Sequence, residues 1–272
     1  MFESTAQRTP FHSRTKLLLA ALIAIATVAP LSAKEPTPLA KLFEARGLNG
    51  TIVVVDLATG RRTIHNPGRA RQPFIPASTF KIPNSLIGLD AGVVRDVDEL
   101  LPYGGKPQPY PYWEHDMALR EAMKLSSVPI YQELARRIGP TRMSAGVRSF
   151  QYGNGEIGPV IDRFWLDGPL KISAVEQTEF LARLVQGTLP ASPRAVEAVK
   201  EITLQEQAGD RALHFKTGFG HKQPPYIGWV VGWVKKGDRV SIFALNVDLP
   251  RLAEAEQRVL LLKECLAALE LD

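Results

Sequence analysis

One cysteine, Cys265, occurs among 272 residues. A single cysteine closes no internal disulfide, so the fold does not depend on one. Its neighbours Leu260, Leu261, Leu262 and Leu266 mark it as a buried packing thiol rather than a nucleophile. Long runs of one charge are also missing. Charged residues make up 22% of the chain and the formal net charge is +5, but no basic stretch suits a phosphate backbone, so nucleic-acid binding has no support. Beyond the N-terminus no segment is apolar enough to cross a membrane. Internal repeats and low-complexity tracts are absent. His65, His115, His214 and His221 form no spaced pair and have no cysteine partners, so no metal site is expected.

What is present begins with a leader. "SRTKLLLAALIAIATVAPLSAKEP" places basic residues before an apolar run from Leu17 to Val28, then Pro30 and small residues up to Ala33. This reads as a secretory signal peptide over residues 1–33, cut after Ala33. The apolar run is short for a membrane span, which needs about 20 residues. Cleavage removes Arg8, Arg14, Lys16 and Glu3 and leaves a net charge of +3. The expected mature protein, residues 34–272, is exported to the periplasm, has no membrane contact and is a monomer or homodimer.

The rest has ordinary globular composition, 45% hydrophobic. "PLAKLFEARGL" (38–48) is a short amphipathic helix ending at Gly47, and residues 50–66 read as a hairpin turning at Thr59-Gly60. A helix is expected from about Ser78 to Leu89; Pro83 requires its first turn to start or bend near Ser78. Residues 99–116 read as a long surface loop. Helical patterns recur at 117–125, 129–138, 140–149 and 173–186. From His214 three strand candidates follow, and "RLAEAEQRVLLLKECLAALEL" (251–271) reads as one long helix. Strands at both ends with helices between them favour an α/β fold over a βαβ repeat. That fold has a central antiparallel sheet from residues near 50–65 and 213–248. N- and C-terminal helices flank one face, and a helical subdomain spans about 83–182.

The chemistry centres on "PASTFKIPNSLIG" (76–88). Ser78 and Lys81, three apart on a helix, share one face. Burial lowers a lysine's pKa, so Lys81 among Phe80, Ile82, Leu86 and Ile87 could be neutral and basic. A serine nucleophile needs such an adjacent base. The pair alone is weak, since Ser13-Arg14-Thr15-Lys16 repeats it inside the leader. Three later stretches supply context: Ser126-Ser127-Val128, Tyr152-Gly153-Asn154, and Lys216-Thr217-Gly218 on a strand.

In this order the motifs resemble those of the serine β-lactamase and penicillin-binding-protein superfamily. Ser126-Ser127-Val128 in place of Ser-Asp-Asn, with Tyr152-Gly153-Asn154 and "FWLDGPLKIS" (164–173), is similar to class D, the oxacillinase type. "WEHDMALREAMKLSSVPIYQELARRIG" and "GWVVGWV" also look like that family, and the resemblance runs from about residue 49 to the C-terminus. It implies a hydrolase that opens β-lactams, and so gives antibiotic resistance, through an acyl-enzyme. Ser78 would be acylated. Lys81 would be the general base, carbamylated by carbon dioxide, with Trp165 bonding the carbamate and Val128 and Leu166 as its apolar surround. Ser126 would relay protons to the leaving nitrogen. Lys216, Thr217 and Gly218 would line the substrate strand, the backbone N–H groups of Ser78 and Phe219 would form the oxyanion hole, and Arg258 would bind the substrate carboxylate, with Arg251 next in line. No metal or organic cofactor is implied. A DD-peptidase or a β-lactam sensor domain would share much of this pattern but would stay acylated longer.

Other signals are set aside. "GNGEIG" (153–158) matches a dinucleotide-loop spacing, but Pro159 follows and no helix opens. "YPYWEH" (110–115) is read as loop packing. The tryptophans of "GWVVGWV" do not alternate cleanly for one buried face and are assigned both to sheet packing and to the site wall.

Overall fold

The structure, a computed structural model, describes residues 37–220 and 225–272. The expected signal peptide, its cleavage site and His221 lie outside the described residues. Residues from Pro36 onward form one compact unit.

Helix α1 (Pro38–Ala45) starts where the Thr37 hydroxyl accepts from the Ala40 amide. Strands β1 (Gly50–Asp56) and β2 (Arg62–His65) form the expected hairpin, with the Asp56 carboxylate accepting from the Thr59 amide and hydroxyl in the turn. A short α2 (Pro67–Ala70) leads into a 3₁₀ turn, Ala77–Phe80, which runs directly into α3 (Lys81–Asp90). Pro83 therefore sits in the first α-helical turn, where the amide it lacks has no intrahelical acceptor.

The loop over 99–116 contains β3 (Leu100–Leu101) and a 3₁₀ turn at Pro111–Trp113, and β3 pairs with β4 (Met117–Ala118). The expected helix at 117–125 is thus β4 followed by a shorter α4 (Leu119–Lys124). Helix α5 (Val128–Ser149) holds both predicted helices, broken where Gly139 takes φ 75° before Pro140. Next come α6 (Phe164–Asp167), α7 (Ala174–Gln186) and α8 (Pro193–Ile202). The sheet resumes with β5 (Leu204–Ala208), β6 (Arg211–Phe219), β7 (Tyr226–Lys236) and β8 (Arg239–Leu249). The long terminal helix is a correction: a 3₁₀ turn at Leu252–Glu254 precedes a shorter α9 (Gln257–Ala268). The Ala255 carbonyl, between the two, accepts from the Arg258 guanidinium at 2.6 Å.

The main sheet is antiparallel throughout, in the order β2-β1-β8-β7-β6-β5. Helices α1 and α9 cover one face, sealing Ile52, Val54, Val230, Val234, Phe243 and Leu245 beneath them. Cys265 packs in that layer as expected, and burial pushes its thiol up to about 12. Helix α7 covers the other face over Val53, Val231 and Ala244. Both faces of the central strands are buried, so their apolar residues run together instead of alternating with polar ones. This corrects the reading of "GWVVGWV": Trp229, Val231 and Trp233 share the helical face, while Val230 and Val234 point to the other. The alternation is regular, but both of its faces are apolar. Neither α8 nor β5 is among the expected elements; α8 is signalled by Ser192-Pro193 at its start and by Ala195, Val196, Val199 and Ile202 on one face. β5 is a mostly exposed edge strand, LQEQA, with no apolar period to reveal it.

Helix α7 is fixed at its start by a reciprocal box. The Ser173 hydroxyl accepts from the Glu176 amide at 3.2 Å, and the Glu176 carboxylate accepts from the Ser173 amide at 2.8 Å. Ser173→Ala should lower the unfolding free energy by ~1 kcal/mol in urea denaturation. A wild-type midpoint in that variant would show that the box contributes nothing.

Candidate active site

Residues 74–81 carry the centre of the site. The Phe74 amide donates to the Ile172 carbonyl at 2.9 Å and the Ile172 amide returns the bond at 2.8 Å. The Trp229 indole N–H donates to the Ile75 carbonyl at 2.9 Å. The Thr79 hydroxyl donates to the Pro76 carbonyl at 2.8 Å and accepts from the Gln177 amide at 3.0 Å, and that amide also reaches the Tyr152 hydroxyl at 3.1 Å. Between these anchors Ala77 takes φ 50°, a left-handed conformation costing a residue with a Cβ ~1–2 kcal/mol. Ser78 follows directly. β6 lies close against this turn because Gly218 has no side chain: a Cβ there would meet the Pro76 carbonyl oxygen at 2.9 Å.

Lys81 is 1% exposed, and its Nζ hydrogen-bonds to Ser78 Oγ at 2.9 Å. Desolvation holds the amine well below the usual lysine range, and the charge of Lys216 adds to the effect. The Tyr131 ring lies 5.2 Å from Nζ, its hydroxyl bonded to Ser85 and its carbonyl accepting from Asn84. Trp165 stacks on Phe80 at 5.4 Å, fully buried, and its Nε1 donor has no hydrogen-bond partner. Such an orphaned donor is costly, and native structures rarely leave one without a reason. Val128 and Leu166 are half-buried and pack against the same core.

A second hydroxyl–amine pair mirrors the first. Ser126, at φ 55°, accepts from Lys216 Nζ at 2.8 Å; the same amine donates to the Thr217 carbonyl at 3.1 Å. Burial lowers the Lys216 pKa to about 7, helped by the positive charge of Arg258. Arg258 is itself buried, which brings its guanidinium down to about 10. Arg251 is exposed and bonded to Glu254. Phe219 ends β6 opposite Gly228, its ring 5.2 Å from that of Tyr226.

The Tyr152-Gly153-Asn154 stretch supports this arrangement from behind. Gly153 takes φ 56° with the Lys171 carbonyl so close that a Cβ would meet it at 2.0 Å. The Asn154 side chain donates to the Pro169 carbonyl and accepts from the Lys171 amide. This loop therefore grips residues 169–172, which continue the Trp165 segment and pair with Phe74. The aromatics of "YPYWEH" stack on one another, and Trp113 donates to the Leu125 carbonyl at 3.0 Å, beside Ser126.

Residues 50–260 match the penicillin binding protein transpeptidase domain. The chain is 44% identical over 208 residues to β-lactamase OXA-48 of Klebsiella pneumoniae, covering 76% of this chain and 78% of that one. It is 41% identical over 221 residues to OXA-10 of Pseudomonas aeruginosa, covering 80% and 83%. Among solved structures, the class D β-lactamase YbXI from Nostoc superposes with a TM-score of 0.84 at 38% identity, over 86% of this chain and 99% of that one. FUS-1 (OXA-85), a class D β-lactamase from Fusobacterium nucleatum subsp. polymorphum, gives 0.83 at 42% identity, over 86% and 97%. The chain belongs to the class D β-lactamases.

Several groups in this class D site were not apparent from motifs. The Thr79–Gln177–Tyr152 network and the Tyr131 platform under Lys81 use residues that read as core in the sequence. Trp229 was visible only as one of two tryptophans in an apolar strand. The structure brings Ser78 to Lys81 and Ser126 to Lys216, and sets Gly218 against the 3₁₀ turn. Arg258 lies near enough to Lys216 for its charge to depress that amine.

The depressed Lys216 pKa has a consequence for stability. Between about 7 and the ordinary lysine value of 10.5 the unfolded chain binds a proton that the folded chain lacks, so Lys216 makes stability rise with pH across that window. Denaturation of wild type and Lys216→Met over this range should show a steeper rise for wild type. Parallel profiles would place Lys216 in a solvated, ordinary state.

Proposed function

We propose that this chain opens β-lactam rings by a two-step serine mechanism, with Ser78 as the nucleophile. The reading is carried by the 2.9 Å contact between Ser78 Oγ and a fully buried Lys81 whose amine burial holds well below the usual lysine range. The serine proton moves toward the Lys81 side chain as Oγ attacks the lactam carbonyl. The backbone N–H groups of Ser78 and Phe219 stabilise the oxyanion, a contribution of a few kcal/mol per donor, ~3. The C–N bond then breaks, and the nitrogen takes a proton through Ser126, which Lys216 holds at 2.8 Å. Water attacks the acyl-serine ester, the Lys81 side chain takes its proton, and Ser78 Oγ leaves with a proton returned. Arg258, with Lys216, Thr217 and Gly218 beside it, receives the substrate carboxylate.

The surroundings of Lys81 fit a carbamate formed with carbon dioxide. Only a free amine reacts with carbon dioxide, and burial supplies one. The unpartnered Trp165 Nε1 is a donor for a new acceptor, with Val128 and Leu166 as apolar walls. When bound, the group supplies a carboxylate-like general base at this position. The named relatives are β-lactamases, which favours full turnover over the long-lived acylation of a DD-peptidase or sensor domain. Among the described residues no helix is long and apolar enough to cross a membrane, and the leader supports export to the periplasm.

Brief exposure to a slowly hydrolysed β-lactam, followed by peptide mass spectrometry, should find one adduct, on the Ser78 peptide. An adduct on Ser126 or Cys265 would overturn the assignment. Carbon-13 NMR with labelled bicarbonate should show a carbamate signal that is lost in Lys81→Ala and weakened in Trp165→Phe. If wild type gives no signal and degassed enzyme keeps full activity, Lys81 acts as a plain amine.

A further inference from the structure

We infer that Trp229 is a positioning residue for Ser78: its indole N–H, by holding the Ile75 carbonyl, keeps Ala77 left-handed and so sets the reach of the nucleophile. The inference rests on Ser78 being the acylated residue.

Residues 74–76 form a strap outside the named helices and strands, leading directly into the 3₁₀ turn, Ala77–Phe80, that carries Ser78. Its first residue is fixed twice. The Phe74 backbone exchanges two hydrogen bonds with Ile172, and its ring lies under the Arg69 guanidinium at 4.8 Å. Arg69 is fixed in turn by Asp248, at 2.6 and 3.0 Å, and by Asn246 at 2.9 Å. At the other end the Pro76 carbonyl is held by the Thr79 hydroxyl and abutted by Gly218. The middle of the strap, the Ile75 carbonyl, is held by the Trp229 indole at 2.9 Å. A peptide group that could rotate at Ile75 would let the Ala77 dihedral relax out of its unfavourable region, because Ala77 has a Cβ and is not a glycine. Trp229 is fully buried and stands opposite Gly218 in the β6–β7 register. The strand pair that carries Lys216, Thr217 and Gly218 therefore also holds the strap, and the nucleophile is referenced to the substrate strand through one hydrogen bond. Small displacements at a reacting centre are expensive in rate, which gives such a bond leverage.

The test removes the donor and keeps the ring. Trp229→Phe should melt within a few degrees of wild type yet acylate Ser78 more slowly, on the order of tenfold, when followed with a fluorescent penicillin. The decisive variant adds Ala77→Gly. Glycine occupies the left-handed region without strain, so the double variant should recover most of the lost acylation rate, while Ala77→Gly alone should stay within about twofold of wild type. A packing role for Trp229 gives no such recovery. If Trp229→Phe does not fold, Thr79→Val, which removes the hydroxyl bond to the Pro76 carbonyl at the other end of the strap and leaves the Thr79 amide bond at 3.2 Å, is read the same way against its own Ala77→Gly double. A wild-type acylation rate in folded Trp229→Phe, or slow acylation that glycine does not rescue, would overturn the inference. Labelling of wild type at a residue other than Ser78 would instead overturn the assignment of the nucleophile.

Discussion

The site depends on removing one amine from water. Lys81 hydrogen-bonds to Ser78 Oγ at 2.9 Å, and it is enclosed by Phe80, Tyr131 and the core behind them. Burial disfavours the ammonium form and holds the amine well below the usual lysine range. What is a cost to the folded chain thus favours the unprotonated form that can accept a proton. The enclosure is built largely from helices α3, α5 and α6, while the sheet supplies the opposite wall.

That division of labour explains the two-sided sheet. The terminal helices seal one face, and α9 also carries Arg258 to the region of Lys216. With that face buried, β6 and β7 form the wall against which the 3₁₀ turn is pressed. Lys216 and Arg258 add two further cations to the same region, each depressed by burial, and each lowering its neighbour. Positive charge accumulates there, and among the described residues no carboxylate acts on Lys81 or Lys216. This is a field suited to an anionic substrate, and it disfavours protonation of Lys81.

Much of this was legible in the sequence. The hairpin at 50–66, the antiparallel strands after 213 and the Ser78–Lys81 spacing follow from local rules of period and turn chemistry. The Ser126 and Lys216 motifs were legible as residues, but their 2.8 Å contact was not, because 90 positions separate them. Other features were hidden for definite reasons. β5 is polar and exposed, so it has no apolar period. The Trp229 contact joins a side chain to a backbone carbonyl 154 positions away, which no local pattern encodes. The left-handed Ala77 was hidden because tertiary anchors, not a glycine, impose the conformation. The two-faced burial of β7 was misread because strict alternation and a continuous apolar run look alike when both faces are covered.

The buried thiol of Cys265 has a practical side. It is the only sulfhydryl in the chain, it lies on the buried face of α9, and its raised pKa disfavours the thiolate form that alkylating reagents attack. The native protein is therefore silent to maleimide chemistry. A cysteine placed at an exposed loop position such as Tyr112 would be the one reactive handle on the molecule, so spectroscopic probes can be attached beside the site without first deleting a native residue.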